Sequence, residues 1–149
     1  AAAPALSSLE ATRPPPFLSA AFQFGSFTGP VRELSLDLGN TVAISPDPNQ
    51  ADGYGEVRVT ARKLAGKVNP EAKLIATKDY VGIFRANTLQ AIATGTIGGT
   101  AGNRWALTIG QAYFMNVPFG DRDSLLTHEI EFGAAETSAG DDEFNLVLT

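Results

Sequence analysis

At 149 residues, with 44% hydrophobic and 18% charged residues and a formal net charge of −5, the chain has the balance of one globular domain, burying about two-thirds of its unfolded surface. A mean hydropathy of zero, with no apolar run near the ~18 residues of a membrane helix, excludes a membrane-spanning helix. The absence of cysteine excludes disulfides, thiolate metal sites and thiol nucleophiles, and fifteen glycines with nine prolines suit a chain of many turns.

Residues 1–16 open Ala1-Ala2-Ala3-Pro4 and close Arg13-Pro14-Pro15-Pro16. Proline donates no ladder hydrogen bond, so this segment reads as a linker or as an arm lying on a neighbour. The start without Met predicts a trimmed piece of a longer polypeptide. Residues 17–149 read as one β domain. Phe22, Phe24 and Phe27 lead it, before a turn at Thr28-Gly29-Pro30. Alternation of apolar and polar residues then predicts a long strand over 31–44, bent at Gly39-Asn40. Ser45 to Gly53 is a polar loop, and 56–68 returns as a second long strand interrupted at Ala65-Gly66. Ala72, Leu74 and Ala76 alternate as a third strand.

Tyr80, Val81 and Phe84 fall three and four apart, which predicts a short amphipathic helix over 78–87. Strands follow over 89–97 and from Trp105 through Leu107 and Ile109, separated by the loop 98–103. Residues 113–123 read as a connection, 125–134 as the most regular strand, and 144–148 as the last one. The fold class predicted is mainly β: an antiparallel β-sandwich or barrel of roughly eight strands with one short α-helix.

No catalytic constellation emerges. The single histidine, His128, lies mid-strand at the parity of Leu126 and Ile130 and reads as core or interface. The glycines between Gly95 and Gly102 lack the Lys-Ser/Thr ending of a P-loop and precede strand-like residues. Asp121 and Asp123, and the run Asp141-Asp142-Glu143, lack the oxygen spacing and central glycine of a calcium loop. No catalytic, cofactor-binding or metal residue is expected, and no cofactor; the chain is read as not an enzyme.

Charge is unevenly spread. Between Tyr54 and Arg85 lie seven basic residues and three acids; from Asp121 onward lie eight acids and Arg122. Two readings stand. The charges average out on the folded surface, or a basic face carrying Arg58, Arg62, Lys63 and Lys67 meets an acidic face carrying Asp141, Asp142 and Glu143 on the next copy, giving a head-to-tail polymer. Stable nucleic-acid binding is disfavoured by the negative net charge.

Several short stretches occur in a telling order: Leu34-Ser35-Leu36-Asp37-Leu38-Gly39-Asn40, Val59-Thr60-Ala61-Arg62-Lys63 with Gly66-Lys67-Val68, Lys78-Asp79-Tyr80, Phe84-Arg85-Ala86-Asn87-Thr88, and Ala139-Gly140-Asp141-Asp142-Glu143-Phe144. In order and spacing they resemble the tail tube (major tail) proteins of long-tailed bacteriophages, and in particular the C-terminal part of the larger two-part type. The resemblance implies two packed antiparallel sheets flanked by a helix. It also implies trimeric or hexameric homo-oligomeric rings stacked into the virion tail tube, with assembly in the host cytoplasm, contacts to other tail proteins, transient non-specific passage of DNA, and no membrane partner.

Within that resemblance, Asp37, Glu129 and Glu131 are candidates to face the lumen, though strand parity equally allows outer solvent. The loop residues Pro46, Asp47, Pro48, Asn49 and Asp52 are candidates to clamp the adjacent ring, or form a mobile surface loop. The rival readings are a host-attachment or carbohydrate-binding β-sandwich module, which needs an exposed aromatic platform, and a small-molecule-binding barrel. Trp105 and Tyr113 share the parity of Leu107 and Ile109 and read as core rather than platform.

Overall fold

The computed structural model describes residues 13–140 and 142–149. Strand pairing in it is antiparallel throughout. The strands are β1 (Gln23–Phe24), β2 (Phe27–Thr28), β3 (Val31–Asp37), β4 (Thr41–Pro46), β5 (Tyr54–Ala61), β6 (Ala65–Pro70), β7 (Gln90–Ala93), β8 (Trp105–Asn116), β9 (Phe119–Arg122), β10 (Leu125–His128), β11 (Ile130–Ala134) and β12 (Asn145–Leu148). One helix, α1 (Tyr80–Arg85), lies between β6 and β7. The main sheet runs β2-β1-β7-β8-β11-β6-β3, with β12 paired to the first residues of β8, and it curls into a half-barrel. β4–β5 and β9–β10 are separate two-stranded hairpins. The mainly β antiparallel class with one short helix is as the alternation predicts.

One face of the sheet holds the core: Phe24, Val68, Ile92, Ile109, Phe114, Ile130 and Phe132 are nearly or fully buried. Phe24 meets Tyr80 and Phe114 edge-on, at ring separations of 5.7 and 6.2 Å. Tyr80 brings α1 onto this face. The helix begins because the Asp79 carboxylate accepts from Gly82 N at 2.7 Å. It ends at Asn87, whose φ of +47° and the bonds Asn87 N to Phe84 O and Thr88 N to Ile83 O form a Schellman exit.

The long strands expected from alternation are each broken in two. The run 31–44 breaks where Gly39 takes φ +55° and donates to the Asp37 carboxylate, so β4 leaves the sheet altogether. The run 56–68 breaks at 62–64, earlier than Ala65-Gly66, because Leu64 turns into the core. The run 125–134 breaks at Glu129, whose N–H bonds Pro118 O. Consequently Leu126 is exposed while Thr127 and His128 are buried, a reversal of the expected parity at Leu126.

Two further expectations are corrected. Ala72, Leu74 and Ala76 form no strand; Thr77 N and Lys78 N fold back onto Leu74 O and no neighbouring strand takes up the alternation. Residues 113–123 are not a plain connection: β8 runs on to Asn116 and β9 follows.

Register shifts decide which side chains face out. Against β7, Ile109 to Ala112 of β8 oppose Ile92 to Gln90, one extra residue. This bulge moves burial from odd positions (Leu107, Ile109) to even ones (Ala112, Phe114). Tyr113 therefore lies on the outer face, across from Gly133, and is not core. A second bulge lies between Val31 and Leu34, where the Arg32 and Glu33 N–H groups both donate to Asn69 Oδ1, at 3.2 and 2.8 Å. It satisfies donors that the ladder loses there.

Gly66 is a close approach in the sheet that involves backbone as well as a ring: a Cβ there would sit 2.5 Å from Phe132 Cζ and 2.6 Å from Ser35 O. Gly66→Ala is expected to cost about 1–3 kcal/mol through overpacking. Gly110→Ala, with nothing within 4 Å of the added methyl, is expected to be near neutral. Urea denaturation of the two variants checks the difference.

Candidate assembly surfaces

The face of β3, β6, β11 and β8 opposite the core is polar. Ser35, Lys67, Glu131 and Asn116 align across the four strands in one row; Asp37, Ala65, Gly133 and Tyr113 align in the next. The structure thus brings Asp37 and Glu131 to one face, and Glu129 sits close enough to Lys67 to favour its protonated form. Lys67 Nζ lies 2.6 Å from Glu131 Oε1, which raises the lysine pKa and lowers the carboxylate's through their mutual hydrogen bond. The pair is solvent-screened and adds little to stability. Asp37 has a second task, receiving Gly39 N at 2.9 Å.

The β4–β5 hairpin stands apart. Among the described residues its strands contact no other strand or helix. Val42 opposes Val59 and Ile44 opposes Val57, so four aliphatic side chains share one face, each 51–59% exposed. Soluble surfaces scatter such residues singly. The tip is organised rather than loose. Asp47 accepts from Asn49 N and Nδ2, both at 3.0 Å, bonds that hold its carboxyl below the usual range; Asp47 N donates to Gly53 O at 2.9 Å, and Tyr54 N donates to Asp52 at 3.3 Å. Pro46, Asp47, Pro48, Asn49 and Asp52 all lie at this free end.

Part of the charge asymmetry is taken up within the chain. Besides Lys67–Glu131, ion pairs join Arg58 to Glu56 at 3.0 Å, Lys73 to Glu71 at 3.3 Å and Arg122 to Glu71 at 3.0 Å. Arg62, Lys63, Glu136 and Glu143 line one cleft beside Tyr113. Asp142 accepts from both the N–H (2.7 Å) and hydroxyl of Thr137, which holds its pKa down. Asp141 lies outside the described residues, as do residues 1–12 of the expected arm. Arg13 O accepts from Asn103 Nδ2 at 2.9 Å, and Phe17 stacks on Trp105 at 5.9 Å, so Trp105 is no open platform.

A second apolar surface was not foreseen. Leu74 and Ile75 are 79% and 76% exposed, and Phe119 and Leu126 are 66% and 56% exposed. Ala72 N donates to Leu126 O at 2.9 Å, which sets the 72–77 loop against the β9–β10 hairpin. The adjacent Leu74-Ile75 pair is the signal for it, lying within the Ala72, Leu74 and Ala76 alternation that predicts a strand. Beneath Phe119 lies His128, with ring separations of 4.8 Å to Phe119 and 5.4 Å to Tyr80. Burial pushes the His128 pKa below its ordinary value and that of Tyr80 up to about 12. No cluster of three or more His, Asp and Glu side chains is placed to hold a metal among the described residues.

Among solved structures, the chain is similar to one described as the tail of an empty GTA particle, computed with helical refinement in C6 symmetry. The TM-score is 0.54 at 10% identity, covering 88% of this chain and 96% of that one. No protein-family model and no curated protein matches the sequence. The likeness establishes a shared fold.

His128 gives a pH signature. Its folded pKa is lowered, so its stability contribution is complete above the unfolded value near 6.5 and is lost as pH falls through the folded pKa. The melting temperature is expected to drop below pH ~6.5, and to drop less in His128→Phe, as thermal unfolding from pH 8 to 5 will read.

Proposed function

We propose that the chain is a non-enzymatic structural subunit of a phage-like tail, assembling into rings that stack as a tube. The observation that carries this reading is the free-standing β4–β5 hairpin, an ordered two-stranded arm with an uncovered aliphatic face. A monomer gains nothing from such an arm, whereas a copy stacked above or below covers it. The fold shared with the C6-symmetric tail of a phage-like gene transfer agent supports six copies per ring.

Lateral joining is supported by the sheet margins. β3 carries seven strand residues with β6 as its one strand neighbour among the described residues, while β2 at the other margin has two residues. An edge of β3's length is a template for a strand from the next copy. Closing such sheets into a ring would turn the face bearing Asp37, Glu129 and Glu131 to a water-filled lumen. Carboxylates there repel phosphates, and Lys67 is held by Glu131, so duplex DNA slides without being retained. The tip residues Pro46 to Asp52 bridge to the adjacent ring, and other tail proteins cap the stack.

Negative-stain and cryo-imaging of concentrated protein are expected to show hollow tubes with these carboxylates on the inner wall. Replacing Val57 and Val59 by Asp is expected to abolish tubes while circular dichroism and melting temperature stay near wild type. A protein that remains monomeric at high concentration, or tubes with the three carboxylates outside, would refute the reading.

A further inference from the structure

The two exposed apolar surfaces lie at opposite ends of the same strands. β3 ends at Asp37, paired with Ala65, the first residue of β6; from this end the β4–β5 hairpin departs. β6 runs to Pro70, and directly beyond it come the 72–77 loop and, through the bridge Glu71↔Thr127, the β9–β10 hairpin. β8 and β11 agree: Asn116 and Ile130 are at the loop end, while Ala134 N reaches Leu64 O at the hairpin end. Val42, Ile44, Val57 and Val59 thus mark one pole, and Leu74, Ile75, Phe119 and Leu126 the other.

We infer that the pole formed by the 72–77 loop and the β9–β10 hairpin is the receptor for the β4–β5 hairpin of a second copy of this chain, stacked along the strand axis. The inference rests on the tube reading for the direction of stacking. Two apolar patches that are different, on one chain and at opposite ends, describe a heterologous contact, which repeats without closing. Area supports the pairing. Four aliphatics about half exposed, against four larger side chains about two-thirds exposed, bury roughly 1,000 Å² in all with flanking main chain, where specific interfaces begin. One such contact is weak, but the copies of a ring engage together and their avidity multiplies.

Charge fits the same pairing. At the receptor pole Arg122 and Lys73 are bound to Glu71, and the exposed Asp121 and Asp123 of the β9–β10 hairpin, with Arg32 beside Asp123, leave one acid in excess there. At the hairpin's base stands the exposed Lys63.

Because the chain has no cysteine, single thiols can be placed at will. Val57→Cys and Leu74→Cys variants, both at exposed positions, are mixed at tube-forming concentration and treated with a short bis-maleimide. A second pair, Val59→Cys with Phe119→Cys, guards against unfavourable local geometry. The expected result is a covalent dimer in the mixtures and not in either variant alone. The double variant Val57→Cys/Leu74→Cys is expected to give a ladder of oligomers. Dimers of Val57→Cys alone would overturn the proposal in favour of hairpin-to-hairpin pairing. Tubes visible by microscopy without cross-links in either pair would overturn the receptor and leave the tube reading standing. Neither tubes nor cross-links would overturn both and give the hairpin to a different protein.

Discussion

A single curled sheet can bury one of its faces, and here Phe24, Phe114, Ile130 and Phe132 fill that face completely. Everything else about the molecule follows from this one-sided burial. α1 supplies Tyr80 to the core, and Lys78, donating to Phe24 O and Gln90 Oε1 at 3.1 Å each, ties the approach to the helix onto the sheet. Among the described residues no second sheet closes over the outer face, whose residues include Ser35, Asp37, Lys67, Glu129, Glu131 and Asn116. Polar side chains there cost nothing while the face is wet, and they remain suitable if it comes to line a channel filled with water.

The face assignments that were legible in the sequence came from period-two alternation wherever a neighbouring strand enforces it. β6 and β11 follow it closely: Val68, Ile130 and Phe132 point in, Lys67 and Glu131 out. α1 was legible because Tyr80, Val81 and Phe84 recur three and four apart. Reading failed where alternation persists in sequence but the backbone does not continue. Leu126-Thr127-His128-Glu129-Ile130 looks like one strand, yet Glu129 is a junction between two sheets, and nothing in local composition announces it. The β9–β10 turn was equally silent. It uses Asp123 and Ser124 at φ +54° and +67°, where Asn-Gly would have signalled a two-residue hairpin. The bulge in β8 has the same character: one extra residue shifts Tyr113 from core to surface without changing the pattern that places Trp105 and Leu107.

For the candidate assembly surfaces, the outward carboxylates were legible by parity and the polar tip loop by composition, because both are properties of short segments. The aliphatic face of the hairpin was hidden by its likeness to a buried strand. Val42, Ile44, Val57 and Val59 alternate as well as any core strand does, and what distinguishes them is that no element among the described residues covers them. The charge asymmetry misled in a different way. Sequence distance separates Arg62 from Glu143, but β11 and the segment after it bring the acidic end back beside β5, so part of the contrast is spent within one molecule.

The broken strands and the bipolar apolar surface have a common cause. A strand that continued unbroken from β3 into β4, or from β10 into β11, would lie wholly within the sheet and end where the core ends. Gly39 and Glu129 instead divert each run out of the sheet, and they do so at opposite ends of the same four strands. Each diverted half keeps its aliphatic alternation but loses the surface that would bury it. Such exposed hairpins favour aggregation unless their reach is limited, and both are: β9 and β10 are four residues each, and the longer arm carries Pro46 and a hydrogen-bonded acidic tip. Short, charged-tipped arms of this kind admit a contact of defined register while discouraging open-ended strand addition, which is the combination that stacking of identical units requires.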